Sequence, residues 1–261
     1  MDDKFERLAA DLARAWTAGT TIPLPAAAAA PSTRAEAYAI QDRMAALIGG
    51  RVVGWKVGAT VRAVQVFEGH DGPLPGRIFA DRCFDSPAKI SATLIPGIKA
   101  ECEFAFRLKR ALPKQPRPFA PDDIAPALVF HPAVELSASR YAPGTGNRAM
   151  RTFDGIADNG LGGGAVLGQG MDDWRKLAFE TMAIDARIGD SPPIQAYSGA
   201  YRRDPLAIMA ETLNDLAGRG VYLGAGDCVL TGSLTLPTPL RPGQTLKVRF
   251  AGMAALTVTL T

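Results

Sequence analysis

Apolar positions recur along this chain with two different periods, and the change falls near residue 51. Before that point the spacing is helical. Phe5, Leu8, Leu12 and Trp16 form one stripe that Gly19 ends, and Tyr38, Met44, Leu47 and Ile48 form a second. The second helix carries its own start signal, because Thr33 and Glu36 are spaced as a capping box, and Gly49-Gly50 supplies a stop. Between the two, Pro25 and Pro31 bracket an alanine run that reads as a connector. The pattern predicts a helical N-terminal segment over residues 1–50 that packs on the rest of the chain.

From Arg51 onward the apolar runs are short, β-branched or aromatic, and bounded by glycine and proline. Strands are predicted over 52–57, 101–108, 128–136, 182–188, 227–234 and 246–260. One helix interrupts them: Asp204 and Pro205 make an N-cap and first turn, Leu206, Met209, Leu213 and Leu216 form the stripe, and Gly218 or Gly220 closes it. Residues 51–261 therefore read as a β-rich body. The 261 residues, 47% hydrophobic and 21% charged, place the chain among globular proteins.

Charge adds an exclusion. With 29 Lys and Arg against 26 Asp and Glu and no basic block, nucleic acid is not an expected partner, whereas a small neutral or anionic ligand is. The charged opening around Asp2, Asp3 and Lys4 predicts no secretion signal, and no stretch reaches the roughly 20 apolar residues of a membrane helix. Three cysteines without a C-x-x-C pattern fit a reducing compartment. The expectation is a cytoplasmic protein with no membrane partner.

The candidate chemistry starts at Glu101-Cys102-Glu103-Phe104-Ala105-Phe106. Strand alternation puts Glu101 and Glu103 on one face, with backbones about 6.5 to 7 Å apart, so both side chains can converge on one cation. A solvated polar face is the plain alternative. Glu135 changes the balance, because it sits in an apolar run where a lone carboxylate needs a partner. That partner is either an arginine such as Arg140 or, if Glu135 meets the other two acids, a divalent cation. Carboxylate ligands suit Mg²⁺ or Mn²⁺ better than zinc. Three protein oxygens on an octahedral ion leave about three positions open, enough for a 2-oxo acid to chelate through its carboxylate and keto oxygens. Lys56, in an apolar strand end flanked by Gly54 and Gly58, is a candidate acid or electrostatic clamp, and Asp81, in a loop, a candidate base. A structural salt bridge is the alternative for each. The run Gly160 to Gly164 lacks both nucleotide-binding fingerprints and reads as tight backbone packing beside a site. His70 reads as a loop residue and His131 as a core histidine bonded to backbone, while Cys102 alternates away from the acids.

These residues resemble the fumarylacetoacetase-like superfamily, and most closely its branch of 2-keto-4-pentenoate hydratases and 4-oxalocrotonate decarboxylases. The resemblance runs in order through Gly54-Trp55-Lys56-Val57-Gly58, Gly76-Arg77-Ile78-Phe79-Ala80-Asp81 and Glu101-Cys102-Glu103, then Pro132-Ala133-Val134-Glu135, Asp158-Asn159 and Val229-Leu230-Thr231-Gly232-Ser233. It implies an α+β fold, a mixed β-roll or sandwich core with peripheral helices, in a homodimer or larger homo-oligomer. It further implies Mg²⁺ or Mn²⁺ on Glu101, Glu103 and Glu135, acid-base roles for Lys56 and Asp81, and substrate contacts at Asp158, Asn159, Leu161 and Thr231. Leu161 stands where the family usually has Ser, and Arg203-Asp204-Pro205 where many hydratases have Gly-His-Pro. The implied activity is hydration of a 2-hydroxy-2,4-dienoate to a 4-hydroxy-2-oxo acid in the breakdown of aromatic compounds. Alternatives are a 4-oxalocrotonate-type decarboxylase, an acylpyruvate C–C hydrolase that would need a histidine such as His70, and a non-catalytic partner subunit of an active paralogue.

Overall fold

The computed structural model describes residues 2–261. Two helices open the chain, α1 (Asp3–Ala18) and α2 (Arg34–Ile48). The Asp2 side chain caps α1 and Gly19 ends it in the left-handed conformation; the Thr33/Glu36 capping box starts α2 as the spacing predicts. They bury Phe5, Leu8, Leu12, Trp16, Ile40 and Met44 in a cluster completed by Leu74, Phe79, Tyr141 and Ile156. Leu47, read as part of the second stripe, is exposed.

The body follows in chain order: β1 (Val52–Gly58), α3 (Arg62–Glu68), β2 (Leu74–Phe79), β3 (Cys83–Asp85), β4 (Ala88–Ile90) and β5 (Lys99–Leu108). Next come α4 (Pro121–Ile124), β6 (Leu128–Ser137), α5 (Thr152–Ala157), β7 (Gly162–Leu167) and β8 (Ile184–Ile188). The chain closes with α6 (Pro205–Gly218), β9 (Cys228–Ser233), β10 (Thr238–Pro239), β11 (Thr245–Phe250) and β12 (Leu256–Leu260). A large mixed sheet has the order β2-β1-β9-β5-β6-β7-β3, with β10 pairing on β5, and a four-stranded sheet has the order β4-β12-β11-β8.

The two faces of the large sheet differ in kind. One face contributes Cys102, Phe104, Phe106, Val134, Leu136 and Val166 to the main core, against Ala186, Val248, Phe250 and Val258 of the second sheet and the stripe of α6. Phe104, Phe106, Phe130 and Phe179 pack there with ring centroids 4.8 to 6.0 Å apart, mostly edge-on, the arrangement aromatic quadrupoles favour. The other face carries small or short side chains, Ala105, Ala133, Ala165 and Leu230, and leaves room for polar groups.

Three departures from the sequence reading have local causes. The run 246–260 is a hairpin, because residues 251–255 form the turn between β11 and β12. Strand β2 was hidden by Pro73, Pro75 and Gly76; it is an edge strand, where a proline without N–H costs no ladder bond. The glycine run contains a strand as well, β7, whose backbone lies too close to its neighbours for larger residues. A Cβ at Gly163 would lie 2.6 Å from the Leu136 carbonyl oxygen, and one at Gly164 2.7 Å from that of Arg82.

Candidate metal centre and active site

Register brings the three glutamates together. Glu101 and Glu103 lie two residues apart on β5, and Glu135 of β6 stands directly opposite Glu101. All three point to the small-residue face, with one oxygen from each within 4.8 Å of the others. Glu103 and Glu135 are 1% and 3% exposed, which rules out a solvated polar face. The Ser137 hydroxyl donates to Glu101 Oε1 at 2.5 Å, and the Gly232 N–H donates to Glu103 Oε2 at 2.8 Å.

The electrostatics are unfavourable without a cation. Burial, and then the charges of Glu135 and Glu101, push the Glu103 carboxyl well above the usual range. Burial also raises Glu135, with Lys56 pulling the other way. At 4 Å, a carboxylate pair repels by roughly 4 kcal/mol at an effective dielectric of about 20. Glu135 Oε1 is buried without a hydrogen-bond donor, and the nearest cation, Lys56 Nζ, lies 3.3 Å away. Converging all-oxygen ligands with an unfilled buried acceptor fit a hard divalent ion such as Mg²⁺ or Mn²⁺. Among the described residues, no other group of three acidic, histidine or cysteine side chains converges in this way.

Lys56 reaches the cluster through a collar of glycines. It is 6% exposed on β1, beside Leu230 of β9 and Gly76 of β2. A Cβ at Gly76, Gly160 or Gly162 would lie 3.3 Å from Lys56 Cε, and at Gly76 also 2.1 Å from the Asn159 carbonyl oxygen. Glycine at these positions lets the backbone close around the lysine stem. The collar holds the ammonium at the edge of the carboxylates and keeps its stem out of water.

The remaining expected site residues stand differently. Asp158, 0% exposed, is ion-paired with Arg140; it also accepts from the Arg140 N–H at 2.8 Å and the Ser139 hydroxyl at 3.1 Å. Arg140 is thus the partner of Asp158, and the expected alternative of an Arg140 pair for Glu135 gives way to Lys56. Asn159 accepts from the Arg77 N–H at 2.7 Å and donates to the Arg77 carbonyl at 2.9 Å, clamping β2 to the turn before β7. Thr231 donates its hydroxyl to the Phe104 carbonyl at 3.0 Å. Leu161 is partly buried, with its side chain against Gly155 of α5. The polar atoms of Asp158, Asn159 and Thr231 that were expected to meet substrate are therefore engaged within the chain.

Asp81 is exposed in a short 3-10 turn after β2. Gly76 pairs with Lys56 and Phe79 with Val52, so the strand carries Asp81 away from Lys56 by roughly 10 Å before the turn even begins. Asp81 makes no hydrogen bond or ion pair with Lys56 or with the three glutamates.

Two groups at the site escaped the sequence reading. Ser137 and the Gly232 N–H are ordinary strand residues until the register places them beside acids. Tyr197 stacks on Tyr201 at 6.0 Å, and its N–H bonds the Leu234 carbonyl, while the Leu234 N–H bonds the carbonyl of Cys102, between the two β5 acids. Burial and the Glu101 charge raise the Tyr197 phenol.

The Asp158–Arg140 pair gives a clear expectation. Asp158→Asn leaves a buried guanidinium without its counter-charge and should cost about 3–5 kcal/mol of stability in urea unfolding. Unchanged stability together with a raised KM would instead make Asp158 a substrate contact.

Three convergent carboxylates beside a buried lysine, on one face of a mixed sheet, define a candidate metal centre. The 4-oxalocrotonate decarboxylase of Pseudomonas putida G7, solved with magnesium and adipate, superposes with a TM-score of 0.85 over 99% of this chain and 98% of its own, at 23% identity. The TodF product hydratase of Pseudomonas putida is 31% identical over 85% of this chain and 82% of its own length. The 2-keto-4-pentenoate hydratase of Burkholderia vietnamiensis is 30% identical over 100% of this chain and 98% of its own. No family model matches. The chain belongs to the 2-keto-4-pentenoate hydratase family, and it shares its fold with a putative fumarylacetoacetate hydrolase family protein from Yersinia pestis CO92 (TM-score 0.55 over 79% of this chain and 92% of that one, 16% identity).

Proposed function

We propose that this protein is a divalent-metal-dependent hydro-lyase that adds water to a 2-hydroxy-2,4-dienoate to give a 4-hydroxy-2-oxo acid. The observation that carries the reading is the buried triad Glu101, Glu103 and Glu135 with Lys56 Nζ 3.3 Å from Glu135 Oε1. These three acids would hold Mg²⁺ or Mn²⁺. When bound, the ion supplies a Lewis acid for the substrate carboxylate and 2-oxo oxygen, offsetting charge that develops on that oxygen.

The chain's own part is proton handling and positioning. In the net reaction the enol proton leaves the 2-hydroxyl, carbon 5 gains a proton, and water then adds hydroxide to carbon 4 and a proton to carbon 3. Lys56 Nζ is the proton-bearing group that the fold holds at the triad, and its ammonium also favours negative charge on the adjacent substrate oxygen. The Ser137 hydroxyl and the Gly232 N–H orient Glu101 and Glu103. Asp81, exposed and apart, carries no step in this reading.

Decarboxylation of a 2-oxo-hexenedioate is the second reading, favoured by the closeness of the decarboxylase fold. A diacid brings a further carboxylate that must be paired when buried. Arg140 is committed to Asp158 and Arg203 to Glu211, at 2.5 and 3.0 Å, so neither candidate cation is free to take it. Hydration of a monoacid is therefore expected to be faster. Product identification decides: the account expects 4-hydroxy-2-oxo acid from a 2-hydroxy-2,4-dienoate, and stoichiometric carbon dioxide from the diacid with no hydration of the monoacid would reverse the assignment. Turnover by the purified chain alone also excludes a purely supporting subunit.

The same reading includes a cytoplasmic homo-oligomer active in aromatic-compound breakdown, supported by the family resemblance. No helix among the described residues is long and apolar enough to cross a membrane.

A further inference from the structure

The loop that follows β1 passes beside the triad. A Cβ on Gly58 would stand 3.9 Å from Lys56 Nζ, so the loop starts at the lysine. Two residues on, Thr60 lies against Gly232: a Cβ on that glycine would stand 2.8 Å from Thr60 Oγ1 and 2.9 Å from its Cγ2. Gly232 is the residue whose N–H donates to Glu103 Oε2 at 2.8 Å, which puts the threonine side chain at the edge of the carboxylates. Thr60 is partly exposed, and among the described residues its hydroxyl has no hydrogen-bond partner.

The backbone of this loop is fixed by donors that take its carbonyls and leave the threonine hydroxyl free. Ala59 adopts the left-handed conformation at φ 51°, which is unusual for a residue with a Cβ. The buried Gln65 amide donates to the Ala59 carbonyl at 2.9 Å. Arg203 donates from Nη1 to the Thr60 carbonyl, and Glu211 of α6 accepts from both of its terminal nitrogens. A strained residue persists only where its surroundings hold it, and here they hold the residue next to Thr60.

We propose that the Thr60 hydroxyl binds the carboxylate of the 2-oxo acid substrate, and that Arg203 is the positioning residue that aims it. This contact rests on the function proposed above and names a residue that holds the substrate there. In that reading one carboxylate oxygen of the substrate is left over, still charged, and it needs a donor once water is excluded. Of the donors at the triad, the Ser137 hydroxyl is spent on Glu101, the Gly232 N–H on Glu103, and Lys56 on Glu135 and the reacting oxygen. Thr60 is the uncommitted one. A hydroxyl also suits a place beside three acids, because it donates to the substrate without a charge of its own to be drawn onto the glutamates.

The contact is made in the ground state and the transition state alike, so its loss should appear in affinity more than in the chemical step. The probe is 2-oxopentanoate, which keeps the carboxylate and 2-oxo group of the substrate and lacks the diene needed for turnover. Its binding to the full-length chain in excess Mg²⁺ is followed by calorimetry, beside steady-state hydration of 2-hydroxypenta-2,4-dienoate. Thr60→Val keeps the side-chain shape and removes the hydroxyl; it should weaken the probe about tenfold to a hundredfold and raise KM by a similar factor, with kcat changed far less. Thr60→Ser should recover most of that loss, and the urea midpoints of both variants should match the native chain. Arg203→Met should weaken the probe in the native background yet add little to Thr60→Val, because it acts through the threonine. Failure of the native chain to bind the probe would overturn the proposed function and the Thr60 contact together. Native-like affinity and KM in Thr60→Val would overturn the Thr60 contact alone, as would a loss that serine does not restore. An Arg203→Met effect undiminished in the Thr60→Val background would remove Arg203 from the positioning role.

Discussion

Lys56→Met should fold normally and turn over about 10² to 10⁴ times more slowly than the native chain, the scale for losing a positioned proton carrier. Methionine keeps the unbranched stem inside the collar of Gly76, Gly160 and Gly162, so the loss isolates the ammonium. The drop should fall mainly on kcat, because Nζ is placed to act where charge develops. Lys56→Arg should not rescue, since the guanidinium is broader than the space left where added Cβ atoms would stand 3.3 Å from Cε. Circular dichroism and urea unfolding check the fold, and steady-state kinetics check the claim. Near-native turnover in Lys56→Met would make the lysine a structural counter-charge to Glu135.

Glu103→Gln should have opposite effects on metal binding and on metal-free stability. It removes one charge from the triad, so affinity for Mg²⁺ or Mn²⁺ should fall at least about tenfold, or 1.4 kcal/mol. Without metal, however, Glu103 and Glu135 both hold their protons more tightly in the folded chain than in the unfolded one. Above the ordinary carboxylate pKa of about 4.3, the folded state therefore binds more protons, and metal-free stability falls as pH rises through the raised values. Below the ordinary range both states are protonated and the effect vanishes. Glu103→Gln removes the larger contributor, so at neutral pH the metal-free variant should be more stable than the native chain, with a shallower loss on raising pH. Divalent cation should reverse that order. Urea midpoints at several pH values, with chelator and with Mg²⁺, measure both; a native chain that gains stability with pH in chelator would contradict the buried-triad electrostatics.

Part of this site was legible in the sequence because it depends on alternation. Glu101 and Glu103 must share a face once 101–108 is a strand, and Glu135 stands out as an acid in an apolar run. Their meeting depends on the β5–β6 register, which the long connection between residues 108 and 128 leaves undetermined until the pair is formed. The same limit hid Ser137 and Gly232. The glycines were readable as tight packing, but not what they pack around: Gly76 and Gly160 come from separate elements and meet only at the Lys56 stem. Asp158, Asn159 and Thr231 were singled out by resemblance, and each proves to satisfy a buried partner, Arg140, the Arg77 backbone or the Phe104 carbonyl. Sequence order alone could not separate Asp81, five residues after Gly76, from the site that Gly76 helps to build. At the level of the fold, the three long helices and the interior strands were legible from period and caps. The short edge strand β2 and the seven-residue α3 were not, since proline, glycine and brevity weaken both periodicities.

The most direct test follows hydration of a 2-hydroxy-2,4-dienoate by the purified native chain after removal of divalent ions with chelator, and again after Mg²⁺ or Mn²⁺ is restored in excess. The account predicts that activity disappears in chelator and returns with the metal, with 4-hydroxy-2-oxo acid as the product. Undiminished hydration in excess chelator would contradict it.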